Sequence, residues 1–230
     1  MTVSITAFSC WFPGHNTIRP SGKIISRTTQ PASFDNVSVS NGFELILTQD
    51  SICNLRIETY ENLYEYIKVE IVDSTLQIYI KDGFRFFGCP KVKIYLSCNS
   101  LNDISCSGGG RINMENGWSG DKMNISISGG GRATGKLQMN TLEMDLSGGS
   151  RVGLDGKTEY LTISASGGSA CDGESLESDI CRISVSGGSR ADLKINKNLE
   201  VEASGGSRVN YTGNPEVSSQ VSGGSRIEKR

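Results

Sequence analysis

The chain has 230 residues and a formal net charge of −2, so no basic surface speaks for nucleic acid and the length fits one domain, or one domain with a cap. Its single histidine, His15, lies ahead of every patterned segment, which excludes a histidine-based triad or a histidine-rich metal site from the body of the chain. Glycine is abundant (28 residues) and proline scarce (5), a balance that fits many tight turns between strands and not a disordered linker.

Residues 1–10 (MTVSITAFSC) are short, uncharged and mildly apolar, and end in a small residue before a cysteine. The segment resembles the tail of a lipoprotein signal peptide, which makes Cys10 the candidate for lipidation. It departs from that pattern at Ala7, at the bulky Phe8 and in lacking a basic opening. Residues 11–22 (WFPGHNTIRPSG) read as a tether rich in turn formers. No other apolar run approaches the roughly 20 residues of a membrane span, so membrane contact is expected only through a lipid anchor.

Residues 23–100 read as a less regular, β-rich part that caps the structure. Val37, Val39, Phe43, Leu45 and Leu47 alternate with polar residues around an Asn41-Gly42 turn signal. Further strands are expected over 54–60, 75–81 and 91–98, with a short helical turn before a strand within 61–74.

The repeat body, residues 101–230, carries the strongest signal. Ser-Gly-Gly starts at Ser107, Ser128, Ser147, Ser166, Ser186, Ser204 and Ser222, at spacings of 18 to 21 residues. A fixed period with strand-like residues between turns is the mark of a stacked repeat. Before each turn the first and third positions are mostly apolar, as in Ile125 and Ile127 or Ile183 and Val185, and the middle one is polar. That is the alternation of a strand with one buried face. After the turn, Ile112, Ala133, Val152, Cys171, Ala191, Val209 and Ile227 point inward by the same rule. The two glycines mark a corner where positive φ, or the coil above, leaves no room for a side chain. The expected fold is all-β: a single-stranded parallel β-helix of about 19 residues per coil, right-handed by the crossover rule.

Arg111, Arg132, Arg151, Arg190, Arg208 and Arg226 share one position in successive coils, broken only at Ala170. Stacked about 4.8 Å apart, such charges must stack on one another, pair with acids or meet an anion. Asp172 and Asp192, two residues further along, are candidate partners. One reading makes the column an anion- or glycan-binding stripe; the other makes it a structural ladder that bonds corner carbonyls and serine hydroxyls. The run GGSRAD (187–192) is similar to a calcium-binding β-roll repeat, but an arginine stands where that repeat has glycine, so no metal and no cofactor is expected.

Of seven cysteines, Cys106 and Cys171 fall on inward columns and read as small core residues. Cys181 is expected buried or partly exposed. In an oxidising compartment Cys98 could pair with Cys106 or with Cys89, a choice that spacing leaves open. Asp145, Asp155, Asp172, Glu174, Asp192 and Glu202 are scattered among short coils without long loops to wall a cleft, which argues against a polysaccharide-cleaving β-helix enzyme.

The opening F-D-x-V-x-V-x-x-G-F-E-L-x-L-T-Q (34–49), the V-x-I-Y-L strand (92–96) and L-x-x-I-S-x-S-G-G-G (101–110) together resemble the putative auto-transporter adhesin, head GIN domain family. The resemblance covers about residues 33–230. It implies a β-helical, exported or lipid-anchored protein with no catalytic residues to carry over. The expected function is a noncatalytic cell-envelope, adhesin-like protein that presents its solenoid to a glycan or a cell-surface protein. The alternatives are the carbohydrate-active enzyme and an envelope signalling or scaffold component.

Overall fold

A computed structural model of the protein describes residues 16–88 and 90–230; Cys10, His15 and Cys89 lie outside the described residues. From the N-terminus come β1 (Asn16–Ile18), β2 (Ile24–Thr29), β3 (Asn36–Val39), β4 (Glu44–Gln49) and β5 (Asn54–Tyr60), one helical turn α1 (Glu61–Tyr64), then β6 (Ile67–Val72), β7 (Thr75–Ile80), β8 (Phe84–Phe86) and β9 (Lys93–Cys98). The repeat body follows as β10 (Asp103–Cys106), the long strands β11 (Arg111–Ile127), β12 (Arg132–Leu146), β13 (Arg151–Ala165), β14 (Ala170–Val185) and β15 (Arg190–Ala203), then β16 (Arg208–Thr212), β17 (Glu216–Val221) and β18 (Arg226–Lys229).

The long strands run from one corner to the next and stack in parallel, so each coil pairs its backbone with the coils on either side. The expected apolar columns form the core: Ile125, Met144, Ile163, Ile183 and Val201 are register partners in turn and all are buried. Cys106, Cys171 and Cys181 are buried as well.

The corners keep the ladder unbroken. The first glycine of each pair has positive φ, as in Gly167 and Gly187; the second has it only at the first two corners, at Gly109 and Gly130. From the fourth corner on, the second glycine's N–H donates to the first glycine's carbonyl one coil back: Gly188 to Gly167 and Gly206 to Gly187, each at 2.7 Å. The residue after them is structural too. Ser169 and Ser189 are buried, and their hydroxyls donate to the carbonyls of Ser166 (2.7 Å) and Ser186 (2.8 Å), closing each turn. At the first two corners this position is glycine. A Cβ at Gly110 or Gly131 would stand 2.6 Å from Cys106 Sγ or 2.8 Å from Ile127 Cγ2.

The leading segment extends the solenoid, out of chain order. β3 lies between β10 and β7, and β4 between β11 and β9. The coil made by β3 and β4 is thus inserted between the repeat body and a coil made later in the chain by β7 and β9. From β4 the chain crosses to β5, antiparallel to β9, turns through α1, and adds β6 antiparallel to β7. β2 completes that edge against β5. Antiparallel strands therefore flank the outermost coil on both of its faces, protecting its edges.

Asn41-Gly42 is a turn, but it joins no hairpin: β3 and β4 pair with other strands, and the turn is one more corner stacked beside Gly108. Asparagine tolerates the positive φ of 61° there, and its Oδ1 accepts the Ile80 N–H at 3.0 Å. Residues 16–18, expected within a tether, instead pair with β8. The inserted coil has no strand opposite Ser119, and Gln49 stands in for one: its amide nitrogen donates to Ser119 O (2.7 Å) while its oxygen accepts Ser119 N–H (2.9 Å).

Candidate functional site

Each corner separates two outward faces. On the face after the corner, Arg111, Arg132, Arg151, Ala170, Arg190, Arg208 and Arg226 are register partners in that order, and the six arginines are exposed. The backbone N–H groups of Arg132, Arg151, Arg208 and Arg226 donate to corner carbonyls one coil back, but among the described residues the guanidinium groups of these arginines and of Arg111 donate to no corner carbonyl or serine hydroxyl, so the side chains do not lace the coils together.

The column two residues on divides the stripe. Its members are Asn113, Thr134, Gly153, Asp172, Asp192, Asn210 and Glu228. Acids stand only in its C-terminal half. There Arg190 grips Asp192 through Nε (2.7 Å) and Nη2 (3.2 Å). Arg230 reaches Asp192 at 3.1 Å and Glu174 at 2.7 Å. Burial alone would raise the Asp192 carboxyl, but hydrogen bonds from Arg190 and Asn210 and the charges of Arg190 and Arg230 hold it below the usual carboxylate range. In the other half, Arg111, Arg132 and Arg151 have no carboxylate within ion-pair distance among the described residues; Asn113, Thr134 and Gly153 carry no charge, and only Arg111 has an acid, Glu44, as a register partner.

Where Ala170 replaces arginine and Gly153 contributes no side chain, the face sinks into a hollow of about 470 Å³, flanked by Arg132 and Arg151 on one side and Arg190 on the other. The break in the arginine series is thus the floor of the hollow. Two free, planar, fork-shaped donors at its rim suit a carboxylate, sulfate or phosphate group.

The face before the corner is different in kind. Ser105, Ser126, Asp145, Ser164 and Ser184 are register partners. With the corner serines Ser107, Ser128, Ser147, Ser166 and Ser186 they line a hydroxyl-rich groove of about 400 Å³ whose one acid is Asp145. The outward serines of I-S-x-S were visible in the sequence as polar positions; what made them a surface was the in-register stacking of five coils.

Asp172 and Asp192 are register partners and both line the hollow. Glycoside cleavage needs two carboxyls free to act on the sugar, whereas the Asp192 oxygens are taken up by Arg190, Asn210 and Arg230. Among the described residues no three His, Cys, Asp or Glu gather to hold a metal ion. Cys98 and Cys106 are free thiols, not joined to each other, and burial pushes Cys106 to about 11 and Cys171 to about 12, away from reactive thiolate character.

The family model for putative auto-transporter adhesin, head GIN domain, matches residues 33–215. No curated protein matches the chain. Among solved structures, a putative adhesin from Bacteroides fragilis NCTC 9343 superposes with a TM-score of 0.86 at 24% identity, over 93% of this chain and 100% of that one. A putative lipid binding protein from Parabacteroides distasonis ATCC 8503 gives 0.71 at 16% identity, over 94% and 100%. A putative adhesin from Parabacteroides merdae ATCC 43184 gives 0.70 at 17% identity, over 93% and 99%.

Proposed function

The chain belongs to the putative auto-transporter adhesin, head GIN domain family, and from that premise we propose that it is a noncatalytic adhesin of the cell envelope that binds acidic glycans on the arginine face of its solenoid. The observation that carries this reading is the hollow at Ala170, rimmed by two guanidinium groups that the fold leaves unpaired. Exposed charges of one sign that no partner neutralises serve recognition better than stability, because they repel when nothing is bound. The acidic half of the stripe, tied by Asp192, stiffens the C-terminal coils and leaves the N-terminal half for the ligand.

Export fits the family, and attachment through a lipid on Cys10 fits the opening decapeptide. Among the described residues no helix is long and apolar enough to cross a membrane. Cleavage of the glycan is disfavoured by the occupied state of Asp192.

The test is an array of uronic-acid-bearing, sulfated and neutral glycans, probed with the wild-type protein and with Arg132→Ala/Arg151→Ala. Binding to the acidic members should fall about 10- to 100-fold in the double variant, as expected for two lost charge-assisted contacts, and should weaken with salt. Arg182→Ala, on the other face and tied to Glu200, should bind like wild type. Unchanged binding by a folded double variant would remove the hollow as the site.

A further inference from the structure

We propose that Cys53 and Cys98 are a disulfide-forming pair that staples the crossover from β4 to β5 onto the end of β9. β5 and β9 run antiparallel with Asn54 opposite Ser97 and Leu55 opposite Leu96. One step further out, the same register sets Cys53 opposite Cys98.

Side-chain parity agrees. Leu55 and Leu96 both point into the core. Cys53 lies two residues before the one and Cys98 two residues after the other, so both thiols face the same interior. Cys98 is buried and Cys53 half-buried against the core. Directly opposed residues of an antiparallel pair have Cα atoms about 4.5–5.5 Å apart, inside the roughly 4.4–6.8 Å that a disulfide spans. The backbone on both sides is already fixed. Asp50 N–H donates to Cys98 O at 2.9 Å, Ser97 Oγ donates to Ile52 O at 2.9 Å, and Ile52 N–H donates to Asp50 Oδ1 at 3.0 Å. Burial, with the Cys53 thiol nearby, raises Cys98 to about 12, so Cys53, the more exposed of the two, is where an oxidant enters.

The step is thiol–disulfide exchange with a small-molecule or protein disulfide. The Cys53 thiolate attacks one sulfur of the oxidant and expels a thiolate, which leaves as a thiol on taking up a proton. The Cys98 thiolate then attacks Cys53 Sγ in the mixed disulfide and expels the second one. Two electrons pass from the cysteine pair to the oxidant, and the two protons lost by the cysteines end on the two thiols released. Cys106, Cys171 and Cys181 are sealed in the core and stay reduced. An exported chain would meet such oxidants, but the pairing rests on the strand register and holds whether or not the arginine face binds glycan.

The experiment uses the purified full chain. Reduced protein is incubated with oxidised glutathione, quenched with N-ethylmaleimide, digested without reductant and analysed by mass spectrometry. A linked peptide pair joining Cys53 to Cys98, two hydrogens lighter than the separate thiol peptides, is expected. The melting temperature of the oxidised protein should exceed that of the reduced protein by about 5–10 °C. That difference, read within each variant with and without oxidant, should vanish in Cys53→Ser and in Cys98→Ser. Glutathione retained on Cys53 beside a maleimide-labelled Cys98, or both residues recovered as maleimide adducts, would overturn the pairing.

Discussion

Gly156→Ala is expected to cost about 2–5 kcal/mol of stability, while Gly153→Ala, three residues earlier in the same coil, should change it by less than about 1 kcal/mol. Gly156 has φ +120°, and a Cβ there would stand 1.8 Å from Leu137 O and 2.9 Å from its carbonyl carbon. The obstacle is backbone of the neighbouring coil, held by the ladder that pairs Leu137 with Gly156. It cannot rotate away as a side chain could. Backbone strain and steric overlap therefore add. Gly153 has ordinary φ, and a Cβ there meets nothing within 4 Å; alanine would also restrict the unfolded chain slightly. Urea unfolding of the two variants beside wild type checks this. Equal midpoints would mean that the coils can spread at Gly156 without loss.

Asp192→Ala is expected to cost about 2–4 kcal/mol at neutral pH. Asp192 is 8% exposed, and its carboxylate meets Arg190, Asn210 at 2.7 Å and Arg230. Removing it strands the Asn210 amide nitrogen in a site where Asn210 Oδ1 already lacks a partner. The effect is linked to pH. Because the folded protein holds this carboxyl below its ordinary value, its contribution is complete above the unfolded pKa of about 3.9. It fades as pH falls through the lower, folded value. The gap between wild type and Asp192→Ala should be constant from about pH 7 to about pH 5 and close below about pH 4. A gap that persists unchanged into acid would show that Asp192 contributes by packing and not by charge.

The repeat body was legible because each coil states its rule again. Ile125, Met144, Ile163 and Ile183 announce one inward column through period-2 alternation, and the arginines fall in register because the spacing is nearly fixed. The order of the leading coils was not legible. Alternation around Val37 and Leu45 says that a strand has one buried face, and says nothing about which strand lies on either side. That β7 and β9 stack outside β3 and β4 depends on contacts 39 and 49 residues apart in sequence, for which the chain carries no local mark.

The candidate site was half legible. The arginine column and its acidic neighbours could be read, and Asp192 does bind Arg190. Ala170 read as a gap in a series; that it opens a hollow depends on Gly153, which pairs with Asp172 one coil away and lines the same hollow. The serine after each corner looked like part of a turn, and only its burial shows that its hydroxyl closes that turn from within.

An adhesin can work only if its solenoid lies outside the cytoplasm. The most direct measurement is mass spectrometry of the mature N-terminus after fractionation of the native host. A chain that begins at a lipidated Cys10 and is recovered with the envelope is the predicted result. An unprocessed Met1 on protein confined to the cytosol would contradict it.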